Sequence, residues 1–264
     1  MSHAAALPLS ARPPLAAVLF DLDDTLFDHV GTARAALAAT AAAQSALHAA
    51  DVEALFRHYS ELLEELHGQL LAGRITYQQA RQQRFERLLA PYGVGAAEAG
   101  RIADQHYGHY QGLRRPLAGA RALLEALRPH YRLGIVTNNR QLEQEEKLRH
   151  LGLADLIDEL VTSEQVGVPK PAGRIFEVAL GRLGVQPAEA VMVGDNWQAD
   201  VLGAMAVGIR PVWLNRSSEA RPLAHVAEIS GLEPLPEVLR TITEAPAGPV
   251  AAGSAATSPF LYSR

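Results

Sequence analysis

Short, unbroken apolar runs punctuate the chain, and each is followed by a longer stretch in which apolar residues return every three or four positions. The runs are LAAVLF (15–20), RLGIVT (132–137), DELVTS (158–163), AVMVG (190–194) and RPVWLN (210–215). They lack the polar alternation of a half-exposed strand, so they predict strands of a parallel sheet covered on both faces. Helical spacing over 117–127, 142–151, 171–183 and 200–207 completes a βαβ rhythm. The expected fold is therefore α/β, a doubly wound parallel sheet.

More than a hundred residues separate the first run from the second, far too many for one crossover. Nearly all of this insertion carries helical patterning, in GTARAALAATAAAQSALHAA (31–50), DVEALFRHYSELLEELHGQLLAG (51–73), TYQQARQQRFERLLA (76–90) and AAEAGRIADQHYGHYQG (96–112). Thr76 and Gln79 have the spacing of a capping box, Gly73 is placed to stop the preceding helix, and PYG at 91–93 to stop the following one. The expected organisation is a catalytic core from 14–27 and 115–244, a helical insertion from 28–114, and a flexible Pro/Gly/Ala/Ser tail from 245–264. The joints at 27–29 and 113–116 are the expected hinges.

Composition narrows the chemistry. Without cysteine, thiolate metal sites, iron–sulfur clusters and cysteine nucleophiles are excluded. A net charge of −5 with no Lys/Arg cluster argues against a binder of nucleic-acid backbone, while leaving room for a small phosphorylated ligand. No apolar run approaches the ~20 residues of a membrane span, and the first residues lack the pattern of a secretion signal. A cytoplasmic monomer or homodimer is expected.

In an open α/β sheet ligands gather at the carboxyl ends of the strands. The first run ends in Asp21, Asp23 and Asp24, the second in Thr137, Asn138 and Asn139, and the fourth in GDNWQAD, with Asp195 and Asp200; GVPKP after the third carries Lys170 between two prolines. Residues i and i+2 of a strand share a side, so Asp21 and Asp23 can address one point while Asp24 turns elsewhere to anchor the turn. Two carboxylates ~4 Å apart repel by ~4 kcal/mol at an effective dielectric of 20, so a compensating cation is implied. An all-oxygen donor set favours Mg2+. A carboxylate beside such an ion, a lysine and a hydroxyl is equipped for phosphoryl transfer: one Asp attacks phosphorus and the other moves the protons.

DLDDT, VTN, the lysine of GVPKP and GDNWQAD resemble, in order and context, the four motifs of the haloacid dehalogenase superfamily, over about 18–215. The resemblance implies a Rossmann-like core under a helical cap of the family's first type. It implies Asp21 as nucleophile, Asp23 as acid/base with its backbone carbonyl on the metal, Thr137, Asn138 and Lys170 around the phosphoryl group, Asp195 on magnesium, and Asp200 behind it. Dehalogenating members have a non-acidic residue where Asp23 stands, so the resemblance favours a phosphatase. LLAGRITYQQARQQRF and the phrases around the later motifs are most similar to the pyrimidine 5′-nucleotidase branch, with Arg84 and Phe85 as candidates for contacting the leaving group. Asn139 stands where many relatives have Gly or Ser. The alternatives are a sugar-phosphate phosphatase or phosphomutase of the same superfamily and, in another class, a phospho-aspartate switch.

Three features stand outside these motifs. His106 and His109 have a spacing compatible with a metal pair, though a packing surface accounts for them better. Trp197 is expected to pack beside the metal loop. The alanine-rich 31–50 segment suits close packing, within the insertion or on a partner.

Overall fold

The computed structural model describes residues 13–244. Six strands form one parallel sheet in the order β3-β2-β1-β4-β5-β6. They are β1 (Ala17–Phe20), β2 (Arg132–Thr137), β3 (Glu159–Thr162), β4 (Ala190–Gly194), β5 (Arg210–Leu214) and β6 (Ala227–Ile229). The strand order reverses direction at β1, which pairs with β2 on one side and β4 on the other. That is the topological switch point, where a crevice opens beyond the strand ends.

Alternation within β1 explains both layers. Val18 and Phe20 join one apolar cluster with Ile135, Val193 and helix α5 (Ala120–Leu127). Ala17 and Leu19 join the other with Val136, Met192 and helix α8 (Gly173–Leu183). Every residue of β1 is buried, as an unalternating run requires. Helices α6 (Gln141–His150), α7 (Ser163–Val166) and α9 (Gly203–Ala206) complete the crossovers.

Three elements go beyond the five expected strands and their helices: the single turn α7, β6, and α10 (Leu235–Glu244), which packs on α5 and β6. β6 is only three residues long, too short for a periodicity to register, and exists because Val212 to Leu214 offer it a ladder. The helix expected over 200–207 instead begins as a π-helical turn, Trp197–Leu202, before α9. Such turns widen the backbone at functional sites. The 245–264 tail lies outside the described residues.

The insertion consists of α1 (His29–Ala42), α2 (Val52–Leu71), α3 (Tyr77–Leu89) and α4 (Ala96–Gly112). The alanine-rich segment is α-helical to Ala42 and then makes a 3-10 turn at Ser45–Leu47; α1 packs on α4, and its Ala33, Ala36 and Leu37 are buried. The capping box at Thr76 and Gln79 is present in both directions, and Gly73 takes the left-handed φ of +67° that a helix stop uses. Where the chain leaves the core and returns to it, the two strands lie side by side: Asp28 N–H donates to Arg115 C=O, and Leu117 N–H to Leu26 C=O. The Arg115 guanidinium donates to Asp28 Oδ2 at 2.8 Å, and Asp28 caps α1.

Candidate active site

Asp21 and Asp23 leave β1 at its carboxyl end, in the crevice between β2 and β4. Asp24 takes φ +61° and accepts the Val30 N–H at 2.9 Å, so it anchors the turn as expected. Thr25 donates to Asp195 Oδ1 at 3.1 Å, tying the first motif to the fourth.

Lys170 is the hub. Its Nζ donates to Asp21 Oδ1 at 2.6 Å, Asp200 Oδ1 at 2.6 Å and Val136 C=O at 2.7 Å, so three acceptors match its three donors. The charges of Asp200 and Asp21 outweigh the cost of burial and raise its pKa above the ordinary lysine value. Asn138 positions it: the side-chain oxygen accepts the Lys170 N–H at 2.7 Å, and the amide donates to the Lys170 C=O at 3.0 Å. The Asn138 side chain is thus spent on the Lys170 loop.

Asp200 has both oxygens engaged, the second accepting the Asn196 N–H at 3.0 Å. Trp213 Nε1 donates to the Asp195 carbonyl at 2.8 Å, and Trp197 packs edge-on against Trp213, so Trp197 braces this loop.

Carboxylate oxygens of Asp21, Asp195 and Asp200 lie within 4.8 Å of one another. Three carboxylates against one ammonium leave the pocket electronegative. Burial above all pushes Asp21 well above the usual carboxylate range, with Lys170 opposing and the neighbouring aspartates adding. Burial, then Asp200 and Asp24, pushes Asp195 up to about 7. A buried acid held that high is short of positive charge, and the all-oxygen donor set fits a hard divalent cation.

The Asp23 carboxylate is outside this cluster. Helix α6 and the turn before it draw it the other way: Lys147 Nζ donates to Oδ1 at 2.6 Å, Gln144 Nε2 to Oδ2 at 3.2 Å and Asn139 Nδ2 to Oδ2 at 3.3 Å. Burial would raise its pKa, but Lys147, His29 and the hydrogen bonds from Lys147 and Gln144 carry it far below the usual range. Gln144 also donates to Thr137 Oγ1 at 2.7 Å. Lys147, Gln144 and Thr25 were not among the sequence candidates. The signal for the first two is only a Gln and a Lys three apart on a helix that is otherwise unremarkably polar.

The insertion contributes differently from expectation. Phe85 is fully buried among Tyr59 and His106 inside the helical insertion, which makes it a packing residue rather than a substrate contact. Arg84 lies over the Tyr59 ring at 4.8 Å. His106 belongs to the same aromatic cluster, and burial pushes it down to about 3. By contrast His67, exposed on α2, stands close enough to Asp23 and His29 to feel their charges, and His29 Nδ1 lies 2.7 Å from Tyr110 Oη. Arg140 of the core stacks on Tyr77 of α3 at 4.5 Å, so the insertion closes against α6.

The haloacid dehalogenase-like hydrolase family matches residues 15–208. The chain is 33% identical over 187 residues to the pyrimidine 5′-nucleotidase YjjG of Escherichia coli, covering 70% of this chain and 82% of that one. It is 34% identical over 223 residues to a glyceraldehyde 3-phosphate phosphatase of Methanothermobacter thermautotrophicus, covering 83% and 93%. The crystal structure of the HAD hydrolase YfnB from Bacillus subtilis, bound to magnesium, superposes with a TM-score of 0.71 over 86% of this chain and 99% of that one, at 24% identity. With its strand order, its four motifs converging on one crevice and this family match, the chain belongs to the haloacid dehalogenase-like hydrolases.

Proposed function

We propose that this hydrolase removes the phosphoryl group from a small phosphate monoester, with nucleoside 5′-monophosphates as the first substrate class to test, through an aspartyl-phosphate on Asp21. The observation that carries the reading is the buried Asp21–Lys170–Asp200 arrangement beside Asp195, with a second carboxylate, Asp23, two residues along. The names of relatives support it: a nucleotidase and a glyceraldehyde 3-phosphate phosphatase cover most of the chain. Those names differ in substrate, so the leaving group is a matter for experiment.

Asp21, Asp195 and the Asp23 backbone carbonyl are the residues to hold Mg2+, which when bound supplies positive charge against the phosphoryl oxygens. Asp21 attacks phosphorus and the bond from phosphorus to the leaving oxygen breaks; Asp23, an ion-paired carboxylate in the substrate-free site, gives that oxygen a proton it takes up from solvent as the phosphate dianion enters. Water then attacks the aspartyl-phosphate, Asp23 takes its proton, and phosphate leaves with Asp21 restored. Lys170 offsets charge on the phosphoryl group, while Thr137 and the Asn138 backbone N–H hold another oxygen. Asp200 keeps Lys170 in place. His67 and His29 are better placed than Phe85 to meet the leaving group, since both lie near Asp23.

Phosphate release would be measured with magnesium over purine and pyrimidine monophosphates, sugar phosphates, glyceraldehyde 3-phosphate and p-nitrophenyl phosphate. Asp21→Asn is expected to remove turnover of every substrate while keeping the fold. Wild-type turnover in that variant would overturn the reading.

A further inference from the structure

Lys147 is 1% exposed, on a helix face turned toward the crevice, and its partners among the described residues are Asp23 at 2.6 Å, Glu143 at 3.8 Å and the face of Phe27 at 5.2 Å. A buried ion pair is costly to desolvate and contributes little net stability, so packing alone gives no reason for an ammonium here. Gln144, three residues earlier on α6, shares that face and reaches the other oxygen of the same carboxylate. Between them they pin both oxygens of Asp23, which fixes its rotamer. Gln144 also bridges Asp23 to Thr137, coupling the proton-moving carboxylate to the expected phosphoryl-holding hydroxyl.

The direction in which Asp23 is held matters as well. Lys170, Asp195 and Asp200 cluster with the nucleophile Asp21. Lys147 holds Asp23 apart from that cluster, beside Phe27, whose ring meets His29 and Tyr110 where the insertion joins the core. We infer that Lys147, assisted by Gln144, is the positioning residue for Asp23, holding its carboxylate on the insertion side of the nucleophile, where the leaving group departs and water enters. Neither side chain touches the reacting atoms; both act through Asp23. The inference rests on the phosphatase reading and deepens it.

The test is a double-mutant cycle on the full chain with p-nitrophenyl phosphate and the best natural monoester of the panel. Lys147→Met is expected to lower kcat on the order of a hundredfold, with KM changed less than about threefold, because a misaimed acid/base slows chemistry more than binding. Lys147→Arg should restore part of the loss. In an Asp23→Asn background, Lys147→Met should cost nothing further. An unchanged kcat in the single variant, or a full additional loss in the double, would overturn the proposal. Should Lys147→Met not fold, Lys147→Gln in the same two backgrounds gives the same reading, since it removes the charge and keeps a polar side chain in the buried position. Asp21→Asn separates the two failures: if it stays active the phosphatase reading falls, and if it is dead while Lys147→Met is wild-type, only the positioning role falls.

Discussion

At Gly194 a methyl group would sit 2.3 Å from Asp200 Oδ2 and 2.4 Å from its carboxyl carbon. The glycine of GDNWQAD is therefore a space requirement: Asp200 returns from the π-helical turn to lie against the Gly194 backbone, and from there it grips Lys170. Gly194→Ala is expected to displace Asp200 and loosen Lys170, lowering kcat on the order of a hundredfold in a phosphate-release assay. At this scale the sequence revealed the residues that end strands. Asp21, Lys170, Asp195 and Asp200 were legible because strand ends in an open sheet converge, whatever the details of packing. Lys147 and Gln144 were not, since a Gln and a Lys on a charged helix look like any solvent-facing pair until tertiary packing turns that face inward.

Among the elements, α3 starts with a complete capping box, and Thr76→Ala should cost about 1 kcal/mol, lowering Tm by ~2–4 °C without altering kcat. A thermal melt beside an activity assay checks it. The aromatic centre of the insertion predicts an acid sensitivity. His106 is 4% exposed with an unpartnered Nε2, and burial, then the charge of Arg84, pushes its pKa down to about 3. The unfolded chain, with a histidine pKa of ~6.5, binds the proton first. Its contribution to stability is thus complete above that pH and falls as pH drops toward the folded value. Urea unfolding at pH 7.5 and pH 5 should show a loss of about 2 kcal/mol in the wild type that His106→Phe removes. An equal loss in both proteins would place the sensitivity elsewhere. Periodicity located the four helices of the insertion, but their facing was decided by packing: Phe85, read as a substrate contact, is locked inward by Tyr59 and His106.

Across the whole molecule, the carboxylates line the carboxyl edge of the sheet while the apolar clusters lie on its two faces, so the candidate metal site and the folding core are spatially separate. Chelation is expected to abolish turnover yet leave a cooperative melt, and magnesium at about 100 times its Kd should stabilise the fold by ~2.7 kcal/mol. A chelated protein that loses its cooperative transition would assign those carboxylates a structural role. The sequence by itself determined the parallel sheet, the inserted helices and the four motifs, because apolar runs, helical period and strand-end polarity are local properties of the chain. Only the tertiary structure decided which way Asp23 faces, which insertion side chains stand over the crevice, and that β6 and α10 extend the core. Each of those depends on which surfaces meet across long separations, 124 residues for Asp23 and Lys147, and no local pattern records such meetings.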